Sequence, residues 1–207
     1  KCELKAEHGS LKLTNSKTAN VQAKFSSVDI TRCTNLVLNV QHAEQVSIGT
    51  CTDLNLVCEF SGVTLDQAQN ATVSLQHSKL NAKAVRNLNG SLRHSAIDIK
   101  EVAETLSIPL AEHSAIAASI VSAKDFKSAT ANAQFGAISL QIPKELEATY
   151  LLEHEFGVIA IDKGIKTLNH TSTEEMSFQS CTGSIGKAGA SSRIKLTGTH
   201  SAISLMQ

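Results

Sequence analysis

Two copies of one phrase decide the fold of this chain: ATVSLQHSKLNA (residues 71–82) and, 17 residues further on, LNGSLRHSAIDI (residues 88–99). In each copy an alternating apolar–polar stretch leads to a histidine, a small residue and then two apolar residues spaced by one. The same phrase, with histidine or phenylalanine as its ring, recurs at His8, Phe25, Phe60, His77, His94, His113, Phe135, Phe156 and His200. A short repeat with apolar alternation inside each unit predicts a stacked β-solenoid.

The residues before each ring are predicted to form a strand with one buried and one solvated face. The residues two, four and six positions before His77 are apolar or small, namely Leu75, Val73 and Ala71, and the residues between them are polar. This period of two is typical of a β-strand and excludes an amphipathic helix. The apolar residues three and five positions after the ring predict a second, shorter strand. Such units bury their apolar sides by stacking in parallel.

The pattern predicts one domain over residues 1–207, an all-β, single-stranded parallel β-helix of about ten rungs of roughly 17–22 residues. Regular rungs occupy residues 1–124, and longer, less regular rungs occupy residues 125–207. The pattern fails between Asp162 and Cys181, where we expect a protruding excursion such as a hairpin. The sheet edges at the two ends of the stack are expected to be capped or paired, because a bare edge promotes self-association.

Composition excludes several classes of function. Lys and Arg together number 19, as do Asp and Glu, so we expect no surface for nucleic acid or an anionic membrane. Aromatic residues make up 3% of the chain, too few for long stacks that hold single-stranded nucleic acid or sugar rings. No run approaches the roughly 18 apolar residues of a membrane span. We expect that an export signal has been removed upstream of Lys1.

The cysteines are predicted to be buried thiols. Cys2, Cys33 and Cys58 fall in inward columns, and Cys51 joins them if Gln45 is an extra, bulged residue in its rung. Cys33 and Cys51 would then lie on adjacent rungs, close enough between Cα atoms for a disulfide. The sequence does not decide whether Cys33 and Cys51 are free thiols or form a disulfide. The absence of a Cys-x-x-Cys pair argues against a cysteine zinc site.

His77, His94 and His113 occupy one column on successive rungs. One hypothesis makes them a metal-binding ladder, because imidazoles about 5 Å apart can share an ion. The alternative is a structural ring that fills the corner and bonds the backbone or the adjacent serine. Phe25 and Phe60 occupy the same column, and no acidic residue recurs beside it, so the structural interpretation is favoured.

A second set of polar residues recurs just before each long strand: Asn35, Asp53, Asn70 and Asn87. Short amide and carboxylate side chains at such positions can bond local backbone. We therefore expect each of these residues to stabilise the turn in which it lies.

We predict no catalytic, cofactor-binding or metal-binding residue, and no cofactor. β-Helix enzymes that cleave polysaccharides need long loops on one side with clustered Asp, Lys and Arg, whereas the corners here are short and the charges dispersed. The His–Ser pairs do not form a nucleophilic site, because adjacent strand residues point to opposite faces and no third orienting group recurs. Asn-x-Ser/Thr matches at Asn70, Asn89 and Asn169 are expected by chance in this composition.

The C-terminal part resembles a known family. Residues 135–143 (FGAISLQIP), 148–161 (ATYLLEHEFGVIAI), 186–196 (GKAGASSRIKL) and 198–205 (GTHSAISL) resemble the bacterial DUF4097/DUF2807 group of adhesin or head-domain β-strand repeat proteins. The resemblance extends in style over nearly the whole chain. It implies a right-handed, single-stranded parallel β-helix that is exported to the periplasm or cell surface and has no catalytic residues.

The sequence therefore predicts a non-enzymatic, exported, structural or adhesion-like module that presents a flat polar surface to a protein or polysaccharide. The excursion between Asp162 and Cys181 is the most specific candidate contact, because the repeat fails there. Two alternatives stay open. A carbohydrate-active β-helix enzyme requires acidic and basic residues clustered in one groove. A polymerising scaffold of the bactofilin kind requires apolar, uncapped end rungs and self-associates through the solenoid edges.

Overall fold

A computed structural model describes residues 2–175 and 177–207. None of these residues forms a helix, so the described chain offers no helical membrane span. Its strands join in one continuous 17-stranded sheet. In chain order they are β1 (Cys2–Glu7), β2 (Ser10–Leu13), β3 (Ser16–Lys24), β4 (Ser27–Gln41), β5 (Val46–Glu59), β6 (Gly62–Gln76), β7 (Lys79–Arg93), β8 (Ala96–Glu112), β9 (Ala115–Ile120), β10 (Ser128–Gln134), β11 (Ala137–Gln141), β12 (Ala148–Glu155), β13 (Val158–Ile161), β14 (Thr167–Glu175), β15 (Phe178–Ile185), β16 (Ser192–Thr199) and β17 (Ala202–Met206).

The strands coil into a parallel β-solenoid, as the repeat predicts. β5, β6 and β7 pair in parallel along most of their length, so Leu54 lies beside Ala71 and Ala71 beside Leu88. Equivalent residues of successive repeat units are thereby superposed along the solenoid axis. The solenoid has about eight turns, close to the ten rungs predicted.

The core consists of the inward columns of these coils. Leu38, Leu56 and Val73, four positions before successive rings, are buried on top of one another. Full burial of an aliphatic side chain of this size contributes about 1.5–3 kcal/mol. The same strands expose the alternate residues, including Val37 and Val57. The predicted alternation of buried and solvated positions is confirmed.

The C-terminal coil is inserted out of sequence order. β16 lies between β10 and β12 and pairs in parallel with both. β17 lies in the same way between β11 and β13. The inward columns allow this order, because Ile203 matches Ile138 on one side and Ile159 on the other. The coil of β10 and β11 and the coil of β12 and β13 are consecutive in sequence, but the coil of β16 and β17 lies between them.

The irregular segment contains the hairpin that the sequence led us to expect between Asp162 and Cys181, and the hairpin continues to Ile185. β14 and β15 pair antiparallel, and β15 also pairs antiparallel with β12. The hairpin therefore covers the outer edge of β12. Its own outer strand, β14, is exposed from Leu168 to Glu175 and is interrupted by a bulge at Asn169, which has a φ of 52°. Polar, bulged edges of this kind hinder strand-to-strand association.

Adjacent residues of β5 provide a matched test of the core. Leu56 is 0% exposed and Val57 is 37% exposed. We expect Leu56→Ala to lower the free energy of unfolding by about 2–5 kcal/mol, because it leaves a cavity in a close-packed column. Val57→Ala, on the solvated face, should change it by no more than about 0.5 kcal/mol. Chemical denaturation followed by circular dichroism measures both, and equal effects of the two substitutions would contradict the assigned faces.

Candidate functional site

The rings of the repeat phrase occupy a left-handed backbone position. Ten of them, including His42, have φ between 47° and 57°. Residues other than glycine rarely adopt such angles, and here they produce the same sharp corner in every coil. His42 does not match the repeat phrase in the sequence, because its coil has one extra residue after the ring. Val28 pairs with Val46, four rather than three positions after the ring, which confirms the bulge predicted at Gln45.

The ring side chains stack into one ladder along the solenoid axis, hereafter the ring ladder. Successive ring centroids are 4.8–5.1 Å apart, and successive planes lie within 18° of parallel. The order along the ladder is His8, Phe25, His42, Phe60, His77, His94, His113, Phe135, His200 and Phe156. His200 precedes Phe156 because the C-terminal coil is inserted between its neighbours.

The ring ladder lies outside the corner, so the prediction of a corner-filling ring is wrong. Its phenylalanines are 43–52% exposed, and its histidines are exposed as well. Within residues 2–175 and 177–207, no ladder imidazole bonds the backbone or a serine. The low aromatic content did not preclude a long stack, contrary to our expectation. Because each ring covers the face of the next, the ladder presents ring edges rather than stacking faces to solvent.

The residue after each ring fills the corner instead. It is a buried serine in six coils: Ser26, Ser61, Ser78, Ser95, Ser114 and Ser201. The Ser78 hydroxyl donates to Gln76 O (2.7 Å) and accepts a hydrogen bond from the N–H of Ser61 in the preceding coil (3.2 Å). The N–H of Ser78 in turn bonds Ser95 Oγ at 3.1 Å. This serine row satisfies backbone groups that the corner removes from strand pairing.

His154 replaces the serine hydroxyl at one end of this row. The residue after Phe156 is Gly157, which has no hydroxyl, and the N–H of Ser201 bonds His154 Nε2 instead (3.3 Å). A Cβ on Gly157 would collide with that nitrogen, so the imidazole fills the space of a side chain. His154 Nδ1 and Ser201 Oγ are buried without a hydrogen-bond partner among the described residues. Sequence reasoning missed His154, because it lies in an otherwise apolar column.

A shallow groove of about 790 Å³ runs beside the ring ladder, hereafter the ladder groove. One wall is formed by the edges of the rings from Phe60 to Phe135. The floor is formed by the residues two positions after the rings, among them Gly62, Ala96 and Ala115. Lys79 is the one Lys, Arg, Asp or Glu among the described residues that line it. The groove is therefore long, open and nearly uncharged.

The geometry of the histidine column does not suit a shared metal ion. His77, His94 and His113 are superposed as predicted, but their parallel rings have centroids 4.8 and 4.9 Å apart. Parallel imidazoles at that spacing do not both reach one ion at the Zn–N distance of about 2.0–2.1 Å. No group of three or more His, Cys, Asp or Glu within residues 2–175 and 177–207 could hold a metal ion.

The second corner is held by side chains that bond one another across coils. Asn70 Nδ2 donates to Asp53 Oδ1 (2.8 Å), and Asn87 Nδ2 donates to Asn70 Oδ1 (3.0 Å). Thr105 Oγ1 continues the row by donating to Asn87 Oδ1 (2.8 Å). The expected bonds to local backbone are therefore wrong for these side chains. In-register stacking brings like positions close enough to pair with each other.

The described cysteines are free thiols. Cys33 and Cys51 pair on adjacent strands, as predicted, and both are buried. Burial raises the pKa of Cys51 to about 12, with smaller contributions from Cys33 and Asp53. Burial also raises the pKa of Cys33, Cys58 and Cys181. These groups are therefore neutral, unreactive core thiols at physiological pH.

Glu104 lies at the centre of one compact cluster of charges, and the other ion pairs are dispersed along the solenoid. Glu104 contacts Arg86 Nε at 3.1 Å and Lys127 Nζ at 2.9 Å. Hydrogen bonds from Arg86 and Lys127 lower the pKa of Glu104 to about 2. A carboxylate neutralised by two cations is suited to joining coils rather than to transferring protons.

Comparison with protein-family models, with curated proteins and with solved structures finds no match to this chain. The resemblance to the DUF4097/DUF2807 group stays a prediction. The functional assignment therefore depends on the geometry of the ring ladder, the ladder groove and the hairpin.

We expect acidification to weaken the attachment of the inserted coil. His154 accepts the Ser201 N–H only when neutral, and burial lowers its pKa below the ordinary value near 6.5. The nearby charge of His200 lowers this pKa further, whereas Glu155 raises it. The folded state then binds fewer protons than the unfolded state. The contribution of His154 to the free energy of unfolding is therefore fully present above a pH of about 6.5. It is lost as the pH falls towards and through the pKa of His154 in the folded state.

Thermal unfolding of the parent protein and of His154→Gln between pH 7.5 and 5 measures this effect. The glutamine can still accept a hydrogen bond but does not titrate, so it should flatten the pH dependence. His8→Gln, an exposed ring at the opposite end of the ladder, is the matched control and should leave the dependence unchanged. Identical pH profiles for the parent and His154→Gln would contradict this role of His154.

Proposed function

We propose that this chain is a non-enzymatic β-solenoid module that binds a linear, uncharged glycan along the ladder groove. The observation that carries the proposal is the unbroken row of exposed ring edges, which repeats every 4.8–5.1 Å beside a groove of about 790 Å³. A surface that repeats along one axis matches a ligand that also repeats along one axis. Compact small molecules are better held in enclosed pockets.

The lining of the ladder groove supports an uncharged polymer. A neutral imidazole has one donor and one acceptor nitrogen, and His77, His94 and His113 use neither within the described chain. These nitrogens are available to sugar hydroxyl groups. Ring C–H edges and the methyl groups of Ala96 and Ala115 can contact the apolar parts of a sugar. With Lys79 as the one formal charge, the groove offers little attraction to a polyanion or polycation.

An extended peptide is less suited to this groove than a glycan. A peptide strand binds by pairing with free backbone groups at a sheet edge. The ladder groove crosses the strands, and its backbone groups are already paired. The N–H of Ala96 bonds Ser78 O and the N–H of Ala115 bonds Ser95 O, both at 3.0 Å. The groove therefore offers side chains but not a free strand edge.

The two alternative functions receive less support. A carbohydrate-active β-helix enzyme needs acidic and basic residues clustered in one groove, and Lys79 is the one Lys, Arg, Asp or Glu among the described residues that line the ladder groove. End-to-end stacking of whole coils needs both strands of each end coil to have a free edge, and at the C-terminal end β15 already covers the outer edge of β12. We further propose that the module is exported and acts at the cell surface or in the periplasm. This agrees with the resemblance to adhesin-type proteins.

Replacing His77, His94 and His113 together by phenylalanine tests the proposed function. Phenylalanine already adopts the same backbone position in this ladder, so stacking and fold should be preserved. Each lost hydrogen bond is expected to contribute about 0.5–1.5 kcal/mol, so the triple variant should bind at least about tenfold more weakly. Affinity electrophoresis against soluble neutral glucans and mannans measures the change, with alginate and heparin as charged comparisons.

A matched pair of substitutions in β9 tests the location of the groove. Ala115→Arg places a bulky cation on the groove floor and should abolish binding. Ala117→Arg, an equally exposed alanine two residues further along, lies outside the groove and should bind like the parent protein. The proposal fails if the parent protein binds none of the neutral polymers, or if Ala115→Arg and Ala117→Arg bind alike.

A further inference from the structure

We propose that the outer edge of β13 binds an extended peptide segment as an added strand, at a site separate from the ladder groove. The hairpin continues the sheet beyond β12 and leaves β13 without a corresponding neighbour. A slot of about 480 Å³ lies between the β13 edge and the hairpin. We refer to it as the edge slot.

The backbone of β13 is paired on one side only. The N–H groups of Val158 and Asp162 bond Ser201 O (3.3 Å) and Leu205 O (2.9 Å) in the inserted coil. Backbone groups of successive strand residues point to opposite sides, so Ile159 and Ile161 direct theirs into the edge slot. Among residues 2–175 and 177–207, β17 is the one strand that pairs with β13.

The side chain of Gln179 forms a hydrogen bond that a neighbouring strand would otherwise form with β13. The N–H of Ile159 donates to Gln179 Oε1 at 3.2 Å. The amide carbonyl of Gln179 thus occupies the place of a main-chain carbonyl from a neighbouring strand. The N–H of Ile161 has no hydrogen-bond partner in residues 2–175 and 177–207. A peptide that supplies carbonyls at strand spacing satisfies both groups at once and releases Gln179.

The lining of the edge slot suits the alternating side chains of a strand. Ile159, Ile165 and Cys181 are buried and form an apolar floor. Thr167 and His170 from the hairpin provide a polar wall. One face of an added strand therefore contacts apolar side chains, and the other face remains in solvent. We expect the bound peptide to have apolar residues at alternate positions.

Among the residues that the structure describes, the rim of the slot carries one unpaired cation next to a carboxylate that backbone N–H groups already bind. Asp162 accepts hydrogen bonds from the N–H groups of Gly164 (3.0 Å) and Gln207 (3.4 Å), and these contacts lower its pKa. Lys163 is exposed and forms no ion pair within the described chain. An acidic side chain on the peptide would pair with this lysine.

A whole solenoid coil from a second copy does not fit the same site. A stacked coil requires two free edges at one level, and β15 already covers the edge of β12. The site admits a single strand beside the hairpin. Glycans lack the regular alternation of N–H and C=O groups that the β13 edge complements. The partner that fits is therefore a linear peptide segment.

Panning a phage-displayed random octapeptide library against the full chain tests this proposal. The enriched sequences should share alternate apolar residues and at least one acidic residue. Synthetic versions of these peptides, assayed by fluorescence anisotropy, should bind Ile161→Pro at least about tenfold more weakly, because proline removes the outward N–H. The β13–β17 pairing does not use that N–H and should persist, whereas loss of the Ile161 side chain, which packs against the core, should lower the thermal unfolding midpoint.

Two further measurements keep the test independent of how Ile161→Pro folds. Peptides N-methylated at alternate positions should lose binding to the parent protein. Lys163→Glu should weaken binding of the acidic peptides, whereas Lys166→Glu, an equally exposed lysine outside the slot, should not. The His77, His94 and His113 phenylalanine variant should bind the peptides like the parent protein, which separates this site from glycan binding.

Several results would overturn the proposal. These are a failure to enrich any peptide, full binding by N-methylated peptides, or loss of peptide binding in the ladder variant. Sedimentation velocity provides a final check. Concentration-dependent dimers that disappear in Ile161→Pro would assign the β13 edge to a second copy of this chain instead.

Discussion

The left-handed corner at the ring residue is the constraint on which the structure depends. A non-glycine residue in this conformation costs about 1–2 kcal/mol, and the chain adopts it at ten ring residues. Stacking one ring on the next contributes about 0.5–1.5 kcal/mol, which offsets most of that cost. Glycine or asparagine would adopt the angle more easily but would provide no stacking. The choice of rings makes each corner depend on its neighbours, so the ladder helps to fix the register of the solenoid.

The corner also determines what lies beneath the rings. Turning the chain removes backbone groups from strand pairing, and the serine row returns hydrogen bonds to them inside the solenoid. Where the row reaches Gly157, the imidazole of His154 supplies the missing acceptor. One titratable side chain therefore replaces a neutral hydroxyl at the junction of the inserted coil with β12. This is the point at which we expect the solenoid to be sensitive to pH.

Much of the fold could be predicted from the alternation and the period, including the inward columns, the pairing of Cys33 with Cys51 and the bulge at Gln45. The direction of the rings could not. Counting by twos along the strand places the ring on the inward face, but a left-handed residue reverses the direction of its side chain. The order of the last coils could not be predicted either. Ile138, Ile159 and Ile203 are identical residues at the same position of their coils, so the sequence does not show which coil lies next to which. His154 could be recognised only once that order was known.

The two proposed sites share one structural support. β17 provides the strand on which β13 and its free edge depend, and the same coil contributes His200 to the ring ladder. The ladder groove runs along the solenoid axis, whereas the edge slot accepts a strand across it, so a polymer and a peptide do not compete for space. The inserted coil nonetheless pairs with β11, whose Ala137 lines one end of the ladder groove, and with β13. Any change that loosens this coil, including protonation of His154, would disturb the end of the ladder and the β13 edge together. The two surfaces have no residue in common, so we expect any coupling between them to pass through this coil.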